Sequence, residues 1–307
     1  MASAWMLVAT FLFALMGACV KVASLHWSTA EIVMYRGLIG TVMLFFTVRL
    51  RGGSFRTLLI KDHLWRGFVG VVSLWLWFVA IARLPLATAV TLNYMSPIWI
   101  AVYLFCAGWW QARKHVEWPL VTAIVASFVG VTLVLRPAFE AQQWAGALMG
   151  LSSGMLSALA YLQVRKLGLM GEPEYRVVFY FSISNFVAGL AGVLLESAGS
   201  PAPAFHAFDV KGAALILVLG VSATLAQMAM TRAYRVGKTL VVANLQYSGI
   251  IFSSVLGAVF WGDLFDWHVW LGMGIILCSG IAATFYNTRT TARGKAIADT
   301  DPIASET

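Results

Sequence analysis

Charge is what this chain has least of: 11% of its 307 residues are Asp, Glu, Lys or Arg, against about 25% in an ordinary soluble domain. Acid is scarcer than base, with 13 Asp and Glu against 21 Lys and Arg. No Asp or Glu falls in the middle of an apolar stretch; Glu31, Glu196 and Asp263 stand at the ends of theirs. A proton-coupled antiporter, or a site for organic cations, ordinarily needs an ionisable acid within the membrane. That absence favours passive, facilitated movement of any solute. Cysteine is nearly missing too. Cys19, Cys106 and Cys278 all lie in apolar stretches, which excludes a disulfide framework or a cysteine metal site and makes them small apolar fillers. The five His lie in loops or at stretch ends. HExxH and GxGxxG are absent, and Gly237-Lys238-Thr239 lacks the earlier glycine of a phosphate-binding loop, with Arg232 in its place. No catalytic residue, metal or cofactor is expected.

Long apolar runs are what the chain has instead. A helix needs about 20 apolar residues to cross a bilayer, and ten such stretches follow one another: 4–23, 30–50, 64–83, 87–110, 118–136, 145–166, 175–196, 211–233, 239–262 and 267–288. They read as helices, because backbone polar groups in lipid must be satisfied within the segment, and none shows the short alternating pattern of a barrel. The fold class is therefore an all-α polytopic membrane protein of ten transmembrane helices. The first stretch lacks a basic leader and a small-residue cleavage site and reads as a retained helix.

Lys and Arg occupy every second gap. Arg49, Arg51, Arg56, Lys61 and Arg66 surround the gap at 51–63, and Arg232, Arg235 and Lys238 that at 234–238; Arg83, Arg136 and Lys211 are the few on the other side. Positive charge marks the cytoplasmic side, which puts both termini in the cytoplasm. The net charge of +8 is thus a topology signal and not a nucleic-acid footprint. The bilayer, with its anionic lipid, is the expected macroscopic partner.

A break near 137–144 divides the stretches five and five, as 1–140 and 141–288, with a polar tail at 289–307 expected to be disordered. Five is odd, so similar halves must be inverted relative to each other, as in secondary transporters with sites near the midplane. A shift of 152 residues matches Arg83 with Arg235, Val90 with Val242, Ser96 with Ser248, Ile98 with Ile250 and Trp109 with Trp261. Gly146, Gly150 and Gly154 form a small-residue ridge for close helix contact, and Gly272 and Gly280 share a face of the tenth stretch.

Polar residues recur at helical spacing on the inward stretches. Trp77 on the third, Asn93, Ser96, Trp99 and Tyr103 on the fourth, Gln227 on the eighth, and Asn244, Tyr247 and Ser248 on the ninth would wall a cavity for small apolar or zwitterionic solutes. Interhelical hydrogen bonding is the alternative for any one of them. Lys21 and Arg36 are the cations read as lying inside the stretches, and either could meet a substrate carboxylate; otherwise Lys21 snorkels outward and Arg36 pairs with Glu31 or caps carbonyls. Pro97 should kink the fourth stretch, and Gly249 stands at its equivalent in the ninth, giving paired hinges or static kinks.

Lys21, Arg36, Pro97, and Gly262-Asp263 ending the ninth stretch before a G-x₇-G tenth resemble the EamA branch of the drug/metabolite transporter superfamily, over essentially the whole chain. Within it the pattern is most similar to YddG-type amino-acid exporters. Two positions depart: Trp110-Gln111 stands where a Gly–Glu usually ends the fourth stretch, and Asp263 replaces Glu. The resemblance implies alternating-access export of amino acids or related metabolites at a bacterial inner membrane, with one copy sufficient. A multidrug or other metabolite carrier of the same fold is the nearest alternative, and a lipid-modifying intramembrane enzyme a more distant one.

Overall fold

A computed structural model describes residues 2–83, 92–110, 118–135, 144–198, 205–206, 209–261 and 266–300. Among these there is no strand. The helices are α1 (Ala2–Ala23), α2 (Thr29–Leu50), α3 (Ile60–Arg83), α4 (Ser96–Trp110), α5 (Trp118–Leu135), α6 (Trp144–Leu169), α7 (Glu174–Ala198), α8 (Val210–Val236), α9 (Thr239–Leu245), α10 (Ser248–Trp261) and α11 (Trp267–Thr300). Helix lies within every stretch singled out in the sequence. Among the described residues six segments are long and apolar enough to cross a membrane: Ser3–Ala23, Thr29–Leu50, Trp144–Leu169, Glu174–Ala198, Val210–Val236 and Thr239–Phe260; shorter apolar helices lie at Val121–Leu133 and Trp267–Ala283. The outer surface is rich in large apolar side chains such as Phe46, Leu195, Val259 and Ile281. Water would not tolerate so much exposed hydrocarbon, whereas lipid does. Cys106 and Cys278 are exposed on this surface and Cys19 is buried, so only Cys19 fills the interior.

Local chemistry sets several ends. Ser28 caps α2: its hydroxyl accepts from the Glu31 N–H at 3.2 Å while Glu31 Oε2 accepts from the Ser28 N–H at 2.9 Å, a reciprocal capping box. Asp209 caps α8 by accepting from the Gly212 N–H at 2.7 Å. After α2 and α6 the chain turns through Gly52 (φ 68°) and Gly171 (φ 88°). A side chain would be strained there, and glycine is not. The helix α11 continues through 289–300, where disorder was expected; this run is rich in Ala, Arg and Lys, good helix formers that extend an existing helix without a new nucleus. Residues 301–307 lie outside the described set.

The ninth stretch is two helices. The chain turns at Gln246 and Tyr247, with short bonds from Tyr247 N–H to Asn244 O (3.2 Å) and from Gly249 N–H to Gln246 O (3.0 Å). The fourth stretch turns at Tyr94 and Met95, directly before α4. Proline accounts for the first break, since Pro97 has no N–H to continue the ladder. A Ser–Gly pair at Ser248 and Gly249 accompanies the second.

Packing is close where glycine permits. A methyl at Gly37 on α2 would collide with the Phe186 N and Ser182 O of α7, and one at Gly189 on α7 with the Met34 backbone of α2. Gly130 on α5 faces the Gly272 carbonyl of α11, and Gly150 and Gly154 on α6 receive Leu92 and Asn93. The main partnerships are α1 with α8, α6 with α3, α2 with α8, α7 with α3, α4 with α6, and α9 and α10 with α1; α2 pairs with α7 and α5 with α11. Exchanging each of the first five stretches for the one five places later leaves these partnerships unchanged, whereas the contacts of α6 and α7 with α8 have no counterpart of like extent.

Candidate substrate cavity

Glycine contact between α2 and α7 leaves space beside it, against α8. The resulting cavity is small and partly open, and is lined by Arg36, Gly37, Phe181, Ser182, Asn185, Ala223, Thr224 and Gln227. Arg36 enters from the eighth residue of the 22-residue α2, so its backbone sits about 10 Å along that helix. Its side chain is buried (9% exposed) and its guanidinium carbon lies 5.8 Å from the centroid of the Phe181 ring. The expected pairing with Glu31 does not occur. Both Glu31 oxygens are engaged: Oε1 accepts from the His206 N–H (2.9 Å), and Oε2 meets the His206 ring (2.7 Å) and the Ser28 N–H.

The wall supplies both kinds of polar group. Asn185 Nδ2 donates to Phe181 O at 2.7 Å, and its Oδ1 is buried without a donor among the described residues. Gln227 is 9% exposed and presents an amide. Thr224 donates to Gly220 O at 2.7 Å and retains acceptor capacity. A carboxylate on Arg36 with an ammonium on the Asn185 and Gln227 carbonyl oxygens is a chemically complete arrangement for a zwitterion.

A second guanidinium shares the ring. Arg66 on α3, 3% exposed, lies 4.0 Å from the Phe181 centroid. Neither arginine has an ion-pair partner among the described residues. The two are within electrostatic reach of each other and of Tyr161. Two unit charges about 10 Å apart at an effective dielectric of 20 repel by about 2 kcal/mol, and each cation inside a membrane costs at least about 2.5–3.5 kcal/mol at the centre. Sequence reading counted Arg66 among the charges flanking a gap. Its burial becomes visible only once α7 places Phe181 against it; the one local sign is Gly70 a turn later, where a methyl would collide with the Arg66 Nη1.

The other expected site residues divide into three groups. Gln227 joins Arg36 in the cavity. Asn93 donates to Ser153 Oγ at 2.8 Å, in a chain that continues through Ser73 to Ser157 (2.7 Å) and on to Tyr161. Asn244, Tyr247 and Ser248 gather at the α9–α10 break, where Ser248 Oγ meets Thr10 Oγ1 at 2.9 Å. Asn244 is 1% exposed with no partner for either amide atom among the described residues, and the Tyr247 hydroxyl is likewise buried without one. Ser96 and Pro97 are buried at the start of α4, and Gly249 at the start of α10. Trp99 and Tyr103 pack on the main apolar cluster with ring centroids 6.4 Å apart. Trp77 is half-buried, and its neighbour Trp75 takes the α7 side, against Gly192. Lys21 is exposed in the last turn of α1, and not a lining residue of the cavity. Gln111, Gly262 and Asp263 lie outside the described residues.

An apolar helical bundle that holds a polar cavity between α2, α7 and α8 and breaks two of its stretches has the architecture of a membrane transporter. The sequence comparisons agree. Residues 1–136 match the EamA-like transporter family. The pseudopaline exporter CntI of Pseudomonas aeruginosa is 30% identical over 275 residues, covering 90% of this chain and 93% of that one. The riboflavin transporter of Vibrio cholerae is 26% identical over 306 residues, 96% of each chain. One crystal structure superposes with a TM-score of 0.77 over 93% of this chain and 98% of its own, at 15% identity, which shows a shared fold. The chain belongs to the EamA family of the drug/metabolite transporter superfamily.

Proposed function

We propose that this protein exports amino acids and related small metabolites across a bacterial inner membrane by facilitated alternating access. The carrying observation is the buried Arg36 guanidinium, without an ion-pair partner among the described residues, in a cavity that Gln227 also lines and where the Asn185 carbonyl oxygen has no donor. One cation and nearby acceptors suit an α-carboxylate and its ammonium. A relative named as an exporter supports the direction. Relatives named for riboflavin transport keep another metabolite as the alternative cargo.

The reading includes ten spans in two inverted halves, 1–140 and 141–288, with both termini cytoplasmic and a monomer sufficient. Support comes from the basic residues in alternate gaps and from the most extensive helix partnerships, which recur when the halves are exchanged. The breaks before Pro97 and Gly249 are paired hinges at matching depth. The test is uptake of labelled amino acids into proteoliposomes, with and without a pH gradient. Saturable uptake indifferent to the gradient is expected. Uptake driven by the gradient would replace facilitated movement with proton coupling, and no uptake of any amino acid would refute the substrate class.

A further inference from the structure

We infer that the cavity takes a solute with two anionic groups, such as a dicarboxylic amino acid, one group on Arg36 and the second on Arg66. This rests on the transport reading above and names its substrate class. An α-carboxylate needs one arginine, and the structure holds two on one ring. Arg66 is 3% exposed, and its Nε and Nη1 donors have no acceptor among the described residues. Gly70 makes room for its guanidinium beside Phe181. The nearby acids are committed elsewhere: Glu31 to Ser28 and His206, Asp62 to Lys166 and Gln163, Glu172 to Thr57 and Arg176. Tyr161 adds a phenol within electrostatic reach of both cations.

A monoanion leaves one of these charges uncompensated, and a dianion neutralises both. Guanidinium forks favour carboxylates, which they bind through paired hydrogen bonds. The two guanidinium carbons lie 5.8 and 4.0 Å from one ring centroid and so no more than about 10 Å apart, a span that two carboxylates on one small molecule can bridge. Arg66 is not itself a lining residue of the cavity; Phe181 is, and it joins the two.

The test compares the purified full chain with Arg66→Gln and Arg66→Lys. Melting temperatures in detergent are measured without ligand and with glutamate, glutarate, leucine or inorganic phosphate, followed by proteoliposome uptake of labelled glutamate and leucine. For the wild type, glutamate and glutarate should raise the melting temperature more than leucine. Arg66→Gln should melt no lower than wild type without ligand, because it removes an uncompensated buried charge. It should also reduce the glutamate-to-leucine ratio of kcat/KM by about ten- to a hundredfold, the worth of one charged hydrogen-bonded contact, and Arg66→Lys should restore part of it. An unchanged ratio, or a lower ligand-free melting temperature with the glutamate shift intact, would make Arg66 structural and overturn the inference. Stabilisation by phosphate but by neither dicarboxylate would overturn it in favour of a phosphorylated solute. In each case leucine uptake by the wild type would leave the transport reading standing; loss of response to every amino acid would remove both.

Discussion

At the scale of single residues, the most consequential placements are polar atoms that the fold buries without protein partners. Arg36, Asn185 and Gln227 line one cavity, and the buried Asn185 Oδ1 has no donor among the described residues, so this capacity is open to a ligand. Arg36→Gln should therefore raise KM for any carboxylate substrate by about ten- to a hundredfold, the equivalent of about 1.5–3 kcal/mol, while the purified protein stays folded; proteoliposome kinetics beside a melting curve check both. Asn244 and Tyr247 are equally short of partners but lie at the α9–α10 break. Asn244→Ala and Trp99→Ala should impair transport with expression intact. Normal uptake by both would remove the fourth and ninth stretches from the substrate path.

Elements are governed by close backbone approach. The α2–α7 contact depends on Gly37 and Gly189, since an added methyl at either meets main chain, which cannot rotate away. Gly37→Ala should destabilise by about 1–3 kcal/mol, the cost of overpacking, and a melting temperature within error of wild type would show that the helices can separate freely. The broken stretches invite a kinetic test. Pro97→Ala restores a donor to the fourth stretch and should slow turnover more than it weakens substrate binding; an unaltered kcat would reduce the break to a static kink.

For the whole molecule, a polar network ties residues 57–62 to residues 166–176. Thr57 donates to Glu172 Oε1, Arg176 Nη1 lies 2.9 Å from Glu172 Oε2, and Lys166 meets Asp62 at 2.7 Å. Burial alone would raise the Glu172 pKa, but the bonds from Thr57 and Arg176 outweigh it and hold it below the ordinary value. The folded value is thus the lower one. The carboxylate's stabilisation is fully present above the unfolded pKa of about 4.3 and is lost as the pH falls through the folded value. Glu172→Gln should destabilise at pH 7 by about 1–3 kcal/mol, and its gap to wild type should close below about pH 4. Thermal melts across pH check this; a gap persisting undiminished at pH 3 would exclude the ionised carboxylate as its source.

The sequence by itself determined that this is a helical membrane protein, because length, hydropathy and the ban on unpaired backbone groups in lipid act segment by segment and need no tertiary knowledge. It determined where the small-residue contacts would fall on α6, and that something would interrupt the fourth stretch at Pro97. The break in the ninth was less legible, since Ser248 and Gly249 are ordinary in a membrane helix until the packing is known. Only the tertiary structure decided which polar residues share a cavity. Gln227 and Arg36 meet there, but Asn93 bonds Ser153, Trp99 packs on the main apolar cluster and Asn244 lies at the α9–α10 break, because helical spacing fixes the angle of a side chain around its own helix and not the neighbour it finds. Arg66 is the clearest case. In sequence it belongs to a run of charges at a helix end, and its burial against Phe181 follows only from how α3 and α7 approach each other.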